Sequence, residues 1–410
     1  MLNLIIVEDS KACGFYPISV SHPVYDLFYG CFNVVDRLKH YFKPKSVSLC
    51  CRWYMAGLSR LRYNLPVNDF TSLDGDCLVI NAAIKPDTEI FDKLKAAPVN
   101  TAYFGSNSFI GGRFDGELIQ KIDLAKVIES PSAMPQGIDI QTLEAASYEH
   151  LWEIVNANSQ AIEFDLSIIP DISHWRRSPQ ANKHGDNVYI HPKTEIGQGV
   201  FIDDSGGPVI IDKGVKIEPR SLIQGPVYIG QGSVVMAGMV REGCSLGPVC
   251  KVGGELEETI ILGYSNKCHE GFIGHSYIGE WVNLGALTTN SDLKNNYGEI
   301  SISMNWQLVK TGSIKVGCFI GDHTKTGIGT LLNTGIVIGF SNNLYGGGLF
   351  MEKEIGHFRW GTPGNLVGYR LEKAMEVAKA AMNRRNIVFD EAYQTLFERI
   401  SEIEFHNDIN

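Results

Sequence analysis

The sequence predicts an α/β domain over residues 1–175, followed by an all-β parallel β-helix over 187–350 and a helical segment over 351–410. Three observations carry that reading. A chain of 410 residues exceeds what one hydrophobic core usually organises. Its first part mixes β-branched runs with helical patterns, which is the pattern of an α/β domain. Its second part places an aliphatic residue every six positions, a period that belongs to neither an amphipathic helix nor a simple strand.

Taken in order, MLNLIIVEDS reads as a first buried strand, because it ends in acid and has neither the basic start nor the cleavage site of a signal peptide. CLVINAAI (77–84) is a second such run. VVDRLKHYF (34–42) and LEAASYEHLWEIVNAN (143–158) read as helices. RRSPQANKHGD, 176–186, is polar and contains Pro and Gly, and is the expected linker.

The six-residue period runs through Ile190, Ile196 and Ile202, then Ile211, Ile217, Ile223, Ile229 and Val235, then Val240, Leu246 and Val252. It resumes at Ile278 and Leu284, and again at Ile314, Ile320, Leu332, Ile338 and Leu344. Each hexapeptide makes one short strand on one side of a triangular prism, aliphatic residue inside, with a tight corner that favours glycine and small residues. Three breaks in register are expected to mark loops that leave the wall: 203–208, 254–270 and 291–312. After the prism, LVGYRLEKAMEVAKAAMNRRN (366–386) and FDEAYQTLFERISEIEF (389–405) read as helices.

Lys+Arg 36 against Asp+Glu 46 leaves a net charge of -10, which speaks against nucleic acid as the main partner. No apolar run approaches a membrane span, so no membrane partner and a cytoplasmic location are expected. The nine cysteines show no C-x-x-C spacing and signal neither disulfides nor zinc.

HEGFIGHSYIGEWVNLGALTTNSDLKNN (269–296) sets His269 before Phe272-Ile273-Gly274, and then Asn283-Leu284-Gly285-Ala286. It resembles the acetyltransferase half of the bifunctional bacterial uridylyltransferase and glucosamine-1-phosphate acetyltransferase family. GYSNK (263–267), NSDLKNNYG (290–298), YGGG (345–348) and FYPISVSHPVYDL (15–27) resemble a variant branch of that family, in which a divergent nucleotidyltransferase-like (Rossmann-like) domain precedes the β-helix. The resemblance implies that the helix is left-handed and that the protein is a homotrimer with sites between subunits.

It also implies the chemistry: transfer of an acyl group from acetyl-CoA to an amino sugar phosphate or nucleotide sugar. His269 would be the general base, since an attacking amine must lose a proton near neutral pH. Arg241, Phe272, Asn283 and Lys294 would hold the acceptor, with Arg241 suited to phosphate. Ala286 would present its backbone N–H to the thioester carbonyl, and the coenzyme would run past Asp322, Gly339 and Phe340. One departure stands out: where the family places a phosphate-binding lysine, this chain has Glu257-Glu258, which would repel a sugar phosphate unless paired.

In the first domain, Lys11, His22, Asp26 and Asn81 are candidates to line a nucleotide pocket. The Gly-rich loop of a nucleotidyltransferase is not evident, and Asn81 stands where a magnesium-holding Asp is expected. Mg2+ is therefore implied only if that domain is active, and no resident metal site is expected. Two further readings are a regulatory or scaffold protein that binds sugar nucleotides without catalysis, and a metal-dependent hydratase using His269, His275 and His323.

Overall fold

The computed structural model describes residues 2–105, 108–143, 147–175, 182–183, 185–304 and 306–403. Most of the expected linker, 176–181 and 184, lies outside the described residues. No helix among the described residues is long and apolar enough to cross a membrane.

The first domain is built on a six-stranded sheet in which Asn3–Val7 lies between Ser46–Cys50 and Asp76–Asn81, parallel to both. Helices cover both faces, so the central strand is apolar on both sides: Leu4 and Ile6 enter one core cluster, Ile5 and Val7 the other. Helix Val34–Phe42 stands where the sequence placed it, with Asn33 accepting from the Asp36 N–H as its N-cap. The expected helix at 143–158 begins only at Leu151, because Ser147 bridges back to Ile84 as extended chain.

The second domain is a parallel β-helix with three walls. The first wall is a nine-stranded sheet from Val188–Ile190 to Glu354–Ile355. The second runs from Glu195–Ile196 to Asn266–Lys267, continues by single bridges through Asn283, and resumes at Lys325–Thr326. The third runs up to Phe272–Gly274 and resumes at Thr289–Asn290. Inward-pointing Ile, Val and Leu from all three walls form one buried cluster.

Two sequence expectations need correction. Residues 254–270 do not leave the prism: Glu255–Glu257, Ile260–Ile261 and Asn266–Lys267 are wall strands in register. The period was hidden because Leu256 follows Val252 after four residues and Ile261 follows Leu256 after five, so two corners are shorter than usual. Nor does the prism end at 350, since Glu354–Ile355 and Arg359–Thr362 add further wall strands. The break at 291–312 is a true exit, carrying the hairpin Ser301–Met304/Gln307–Lys310.

Each wall has a different covering. The outward residues Ile260, Tyr277, Phe319 and Val337 of the first wall join the core of the first domain, so the two domains share buried surface. Asn158 staples them, accepting from the Gly30 N–H at 2.7 Å and donating to Gly243 O and Ser245 Oγ at 2.9 Å. Helix Leu371–Asn383 buries Ala374, Ala378 and Met382, one face at helical spacing. Arg385, just beyond its end, donates to Asn266 on the second wall at 3.2 Å. Helix Glu391–Ser401 sends Phe397 between Phe340 and Phe358. The third wall carries outward Phe201, Leu222, Met239, Glu255 and Phe272 on successive rungs.

Candidate functional site

His269 sits in the corner turn between strand Asn266–Lys267 of the second wall and strand Phe272–Gly274 of the third, and its side chain is exposed. What fixes this turn is Lys267. In the interior column where Ile217, Val235 and Val252 precede it, Lys267 is only 2% exposed. Its Nζ donates to Gly253 O at 3.1 Å and to the carbonyl of His269. Burial pushes its ammonium down to about 8. The sequence reading passed over Lys267; a lysine at an aliphatic position of the repeat was the signal.

On the third wall, Arg241 is shared among Glu257 at 2.7 Å, Glu255 at 3.3 Å and Glu242 at 3.5 Å, and Lys315 reaches Glu257 at 3.2 Å. Glu257 is therefore paired, which lifts part of the repulsion expected of the two acids. Burial raises the Glu258 carboxyl to about 6. Phe272 lines a depression of about 380 Å³ with Met239, Glu255 and Glu270. Nearby, His275 Nδ1 is held by Asp292 at 2.9 Å, a pairing across 17 residues that sequence reasoning missed.

Asn283 opens onto the second wall instead, exposed on a rung between Asn266 and Lys325. It lines a cleft of about 480 Å³ together with Lys251, Trp281 and Arg385. Ala286, at the next corner, accepts a hydrogen bond from the Gly329 N–H at 2.8 Å. Lys294 lies in the exit loop, its Nζ on Glu299 O at 2.5 Å. The structure thus brings His269, Phe272 and Asn283 around one corner and leaves Lys294 engaged in its own loop.

The residues expected along the coenzyme are employed differently. Asp322 is buried; its carboxylate accepts from Ser21 Oγ at 2.8 Å and from the Glu280 N–H at 2.7 Å, and holds His22 Nε2 at 2.7 Å. His22 Nδ1 in turn meets Asp26 at 2.7 Å. Arg62 bridges Asp26 and Glu280, the latter at 2.9 Å, and Tyr63 donates to Asp26. A Cβ on Gly339 would lie 2.8 Å from the Tyr16 hydroxyl, and Phe340 is fully buried. The path over Asp322, Gly339 and Phe340 is closed by the chain itself. His22 and Asp26, expected in a nucleotide pocket, form part of that closure.

Burial alone would strip the proton from His22, but Asp322 and Asp26 on its two nitrogens raise it to about 10. His22, Glu280 and Asp322 bring ligand-type atoms within 4.8 Å of one another, yet these atoms face His⁺ and Arg partners, so the cluster is an ion network. His323 belongs to the neighbouring corner column: burial lowers it to about 3, and its ring stacks with Trp281 and meets Phe397 edge-on. The three histidines considered for a metal are therefore employed separately: His269 exposed, His275 on Asp292, His323 in an aromatic stack.

In the first domain the strand order reverses about Asn3–Val7, and such a switch point opens a crevice at the carboxyl ends of the strands. Here Asn81 donates to Asp9 at 2.9 Å and to Phe109 O at 3.0 Å, and the Lys11 N–H donates to Asp9 at 3.0 Å. Burial raises the Asp9 carboxyl. A hard dication needs several oxygen ligands, usually with more than one carboxylate or a phosphate. Among the described residues the acids beside Asn81 are Asp9 and Glu129, and both are already engaged, Asp9 by Asn81 and the Lys11 N–H and Glu129 by the N–H and hydroxyl of Ser10, so these residues do not fit Mg2+.

Residues 4–172 match the family model described as sugar nucleotidyl transferase. The chain is 32% identical over 264 residues to a bifunctional sugar-1-phosphate nucleotidylyltransferase/acetyltransferase of Sulfurisphaera tokodaii, covering 57% of this chain and 64% of that protein. It is 25% identical over 295 residues to the bifunctional protein GlmU of Methanococcus vannielii, covering 68% of this chain and 63% of the relative. The chain thus spans somewhat under two thirds of the length of both relatives. A solved UDP-N-acetylglucosamine acyltransferase overlaps 51% of this chain and 79% of its own at 14% identity, with a TM-score of 0.22. The first domain is nucleotidyltransferase-like, and the chain resembles bifunctional sugar-phosphate nucleotidyl- and acetyltransferases.

Proposed function

We propose that this chain is a coenzyme A-dependent N-acyltransferase whose acceptor is an amino sugar phosphate or nucleotide sugar, and that His269 is its general base. The observation that carries the proposal is the corner itself. An exposed imidazole stands between two depressions, its backbone carbonyl held by the buried Lys267, with Asn283 on one side and Phe272 on the other. In the step proposed, the acceptor amine attacks the thioester carbon. A C–N bond forms, the C–S bond breaks, and His269 takes the amine proton and returns it to the departing sulfur.

With the path over Asp322 and Phe340 closed, the coenzyme approaches His269 along the third wall, past Phe272 and Ala286. That wall also supports the homotrimer: Phe201, Met239, Leu331 and Leu349 are each more than 40% exposed on it, an apolar stripe of the kind that packs about a symmetry axis. A monomer in solution by mass measurement would remove the shared site.

The test is release of coenzyme A thiol from acetyl-CoA across amino sugars, their phosphates and nucleotide amino sugars. Turnover on one acceptor, reduced about 10²–10⁴-fold in His269→Ala, is expected. The closed path and Asn81 in place of an acid favour a second reading, a sugar-nucleotide-binding regulatory protein. Binding without turnover on any acceptor, unchanged by His269→Ala, would select it.

A further inference from the structure

The cleft on the second wall has a charge pattern that the acyl-transfer chemistry does not explain. Four cationic side chains line it: Lys251 and Lys325 from the prism, and Arg384 and Arg385 from the end of helix Leu371–Asn383. Among the described residues no acidic side chain lines it. Among the described residues none of the four forms an ion pair; Arg385 meets the amide oxygen of Asn266 and Lys325 a backbone carbonyl, that of Trp281. In a chain of net charge -10, four cations converging without a carboxylate is an arrangement that an anionic ligand would complete.

The cleft also has an aromatic edge. Tyr264 and Trp281 occupy the same left-handed corner position on adjacent rungs, at φ 64 and φ 60, and their rings lie parallel with centroids 4.3 Å apart. Asn266 and Asn283 add amide groups between the lysines. Cations, stacked aromatics and amides in one cleft are the elements that hold phosphate groups, a base and a sugar.

We propose that this cleft binds the nucleoside diphosphate portion of a ligand, with Lys251, Lys325, Arg384 and Arg385 on the phosphates and the ring of Tyr264, the outer member of the aromatic stack, beside the base. The site is distinct from the Arg241 cluster, whose guanidinium is committed to three glutamates. Its place in catalysis rests on the acyltransferase reading: a nucleotide-linked amino sugar lying here would bring its amine to His269 from the second wall while the coenzyme comes along the third. The binding itself does not rest on that reading.

Two sources share the chemistry, a nucleotide sugar and the nucleotide end of coenzyme A, and calorimetry on the full chain separates them. The probes are uridine diphosphate, adenosine 3′,5′-bisphosphate, coenzyme A and inorganic phosphate, against wild type, Lys325→Gln and Arg384→Gln. Arg384 is exposed, so its variant keeps the test meaningful if Lys325→Gln misfolds. Uridine diphosphate is expected to bind, at least tenfold more weakly to each variant and more weakly with added salt. If adenosine 3′,5′-bisphosphate and coenzyme A show that pattern and uridine diphosphate does not bind, the site stands and its ligand is the coenzyme. Binding of none of the three nucleotides to folded wild type, or equal binding to the variants, overturns the proposal. Nucleotide binding with no acyl transfer to any acceptor would retire the role of His269 and leave the cleft.

Discussion

Two clusters of charge lie on adjoining faces of the same rungs of the prism. At the corner facing the first domain, Glu280 and Asp322 meet His22, Arg62 and Asp26, and every one of these groups has an opposite charge against it. Three residues further along the same rungs, Asn283 and Lys325 face the open cleft, where Lys251, Arg384 and Arg385 meet no carboxylate among the described residues. The first cluster is buried and complete within the chain. The second is open and electrostatically unfinished. The difference separates charges that hold domains together from charges that wait for a partner, a distinction that burial or residue type alone would not make.

The sharpest way to break the comparison is to remove one member of the closed cluster. Asp322→Ala leaves His22 charged and short of a partner in a dry environment, and should cost about 3–5 kcal/mol in chemical denaturation. If it costs nothing, the junction is not a structural latch. Arg62→Ala should behave similarly, since it strands Glu280 and leaves Asp26 to His22 and Tyr63.

His22→Gln tests the charge rather than the contact. The imidazole is raised in the fold to about 10, above its unfolded value of about 6.5. Its contribution is therefore complete below pH 6.5 and is lost progressively as pH rises to about 10. The gap in Tm between wild type and His22→Gln should be widest at pH 6 and close towards pH 10. A gap constant with pH would mean that His22 is neutral in the fold.

Lys267→Met probes the boundary between structure and chemistry. It restores an apolar residue to the column of Ile217, Val235 and Val252, so the fold should be at least as stable. The turn at His269 loses its donor, and kcat should drop about ten- to a hundredfold with the pH profile still reporting an imidazole. A destabilised protein of normal kcat would reverse the assignment. The smallest stability effect belongs to the open cleft: Lys251→Gln and Arg384→Gln should change stability by no more than about 0.5 kcal/mol. A loss comparable to that of Asp322→Ala would show that these cations are paired after all.

Much of this was legible in the sequence, for physical reasons. A buried column in a β-helix admits only what fits between neighbouring rungs, so Ile196 through Val252 announce themselves by spacing alone. The common placement of His269, Phe272 and Asn283 was legible because their string keeps its order around one corner. The stretch 254–270 was misread because shortened corners shift the period without breaking the wall. Asp322, Gly339 and Phe340 were misassigned because their spacing says where they sit on a rung and nothing about Tyr16, Ser21 and His22 arriving from some 300 positions away. The cationic cleft escaped for a similar reason: Arg384 and Arg385 look like an ordinary helix end until that helix is laid across the second wall.

The rungs of the second wall also act as a ruler. Lys251, Asn266, Asn283 and Lys325 stand on four consecutive rungs, and parallel strands are spaced ~4.8 Å apart, so the two lysines are graduations ~14 Å apart. A small anion can occupy one graduation at a time, whereas a nucleoside diphosphate bearing a sugar can cover the whole scale. Affinity should then climb in steps with the length of the ligand, and the size of each step would report which rung it has reached.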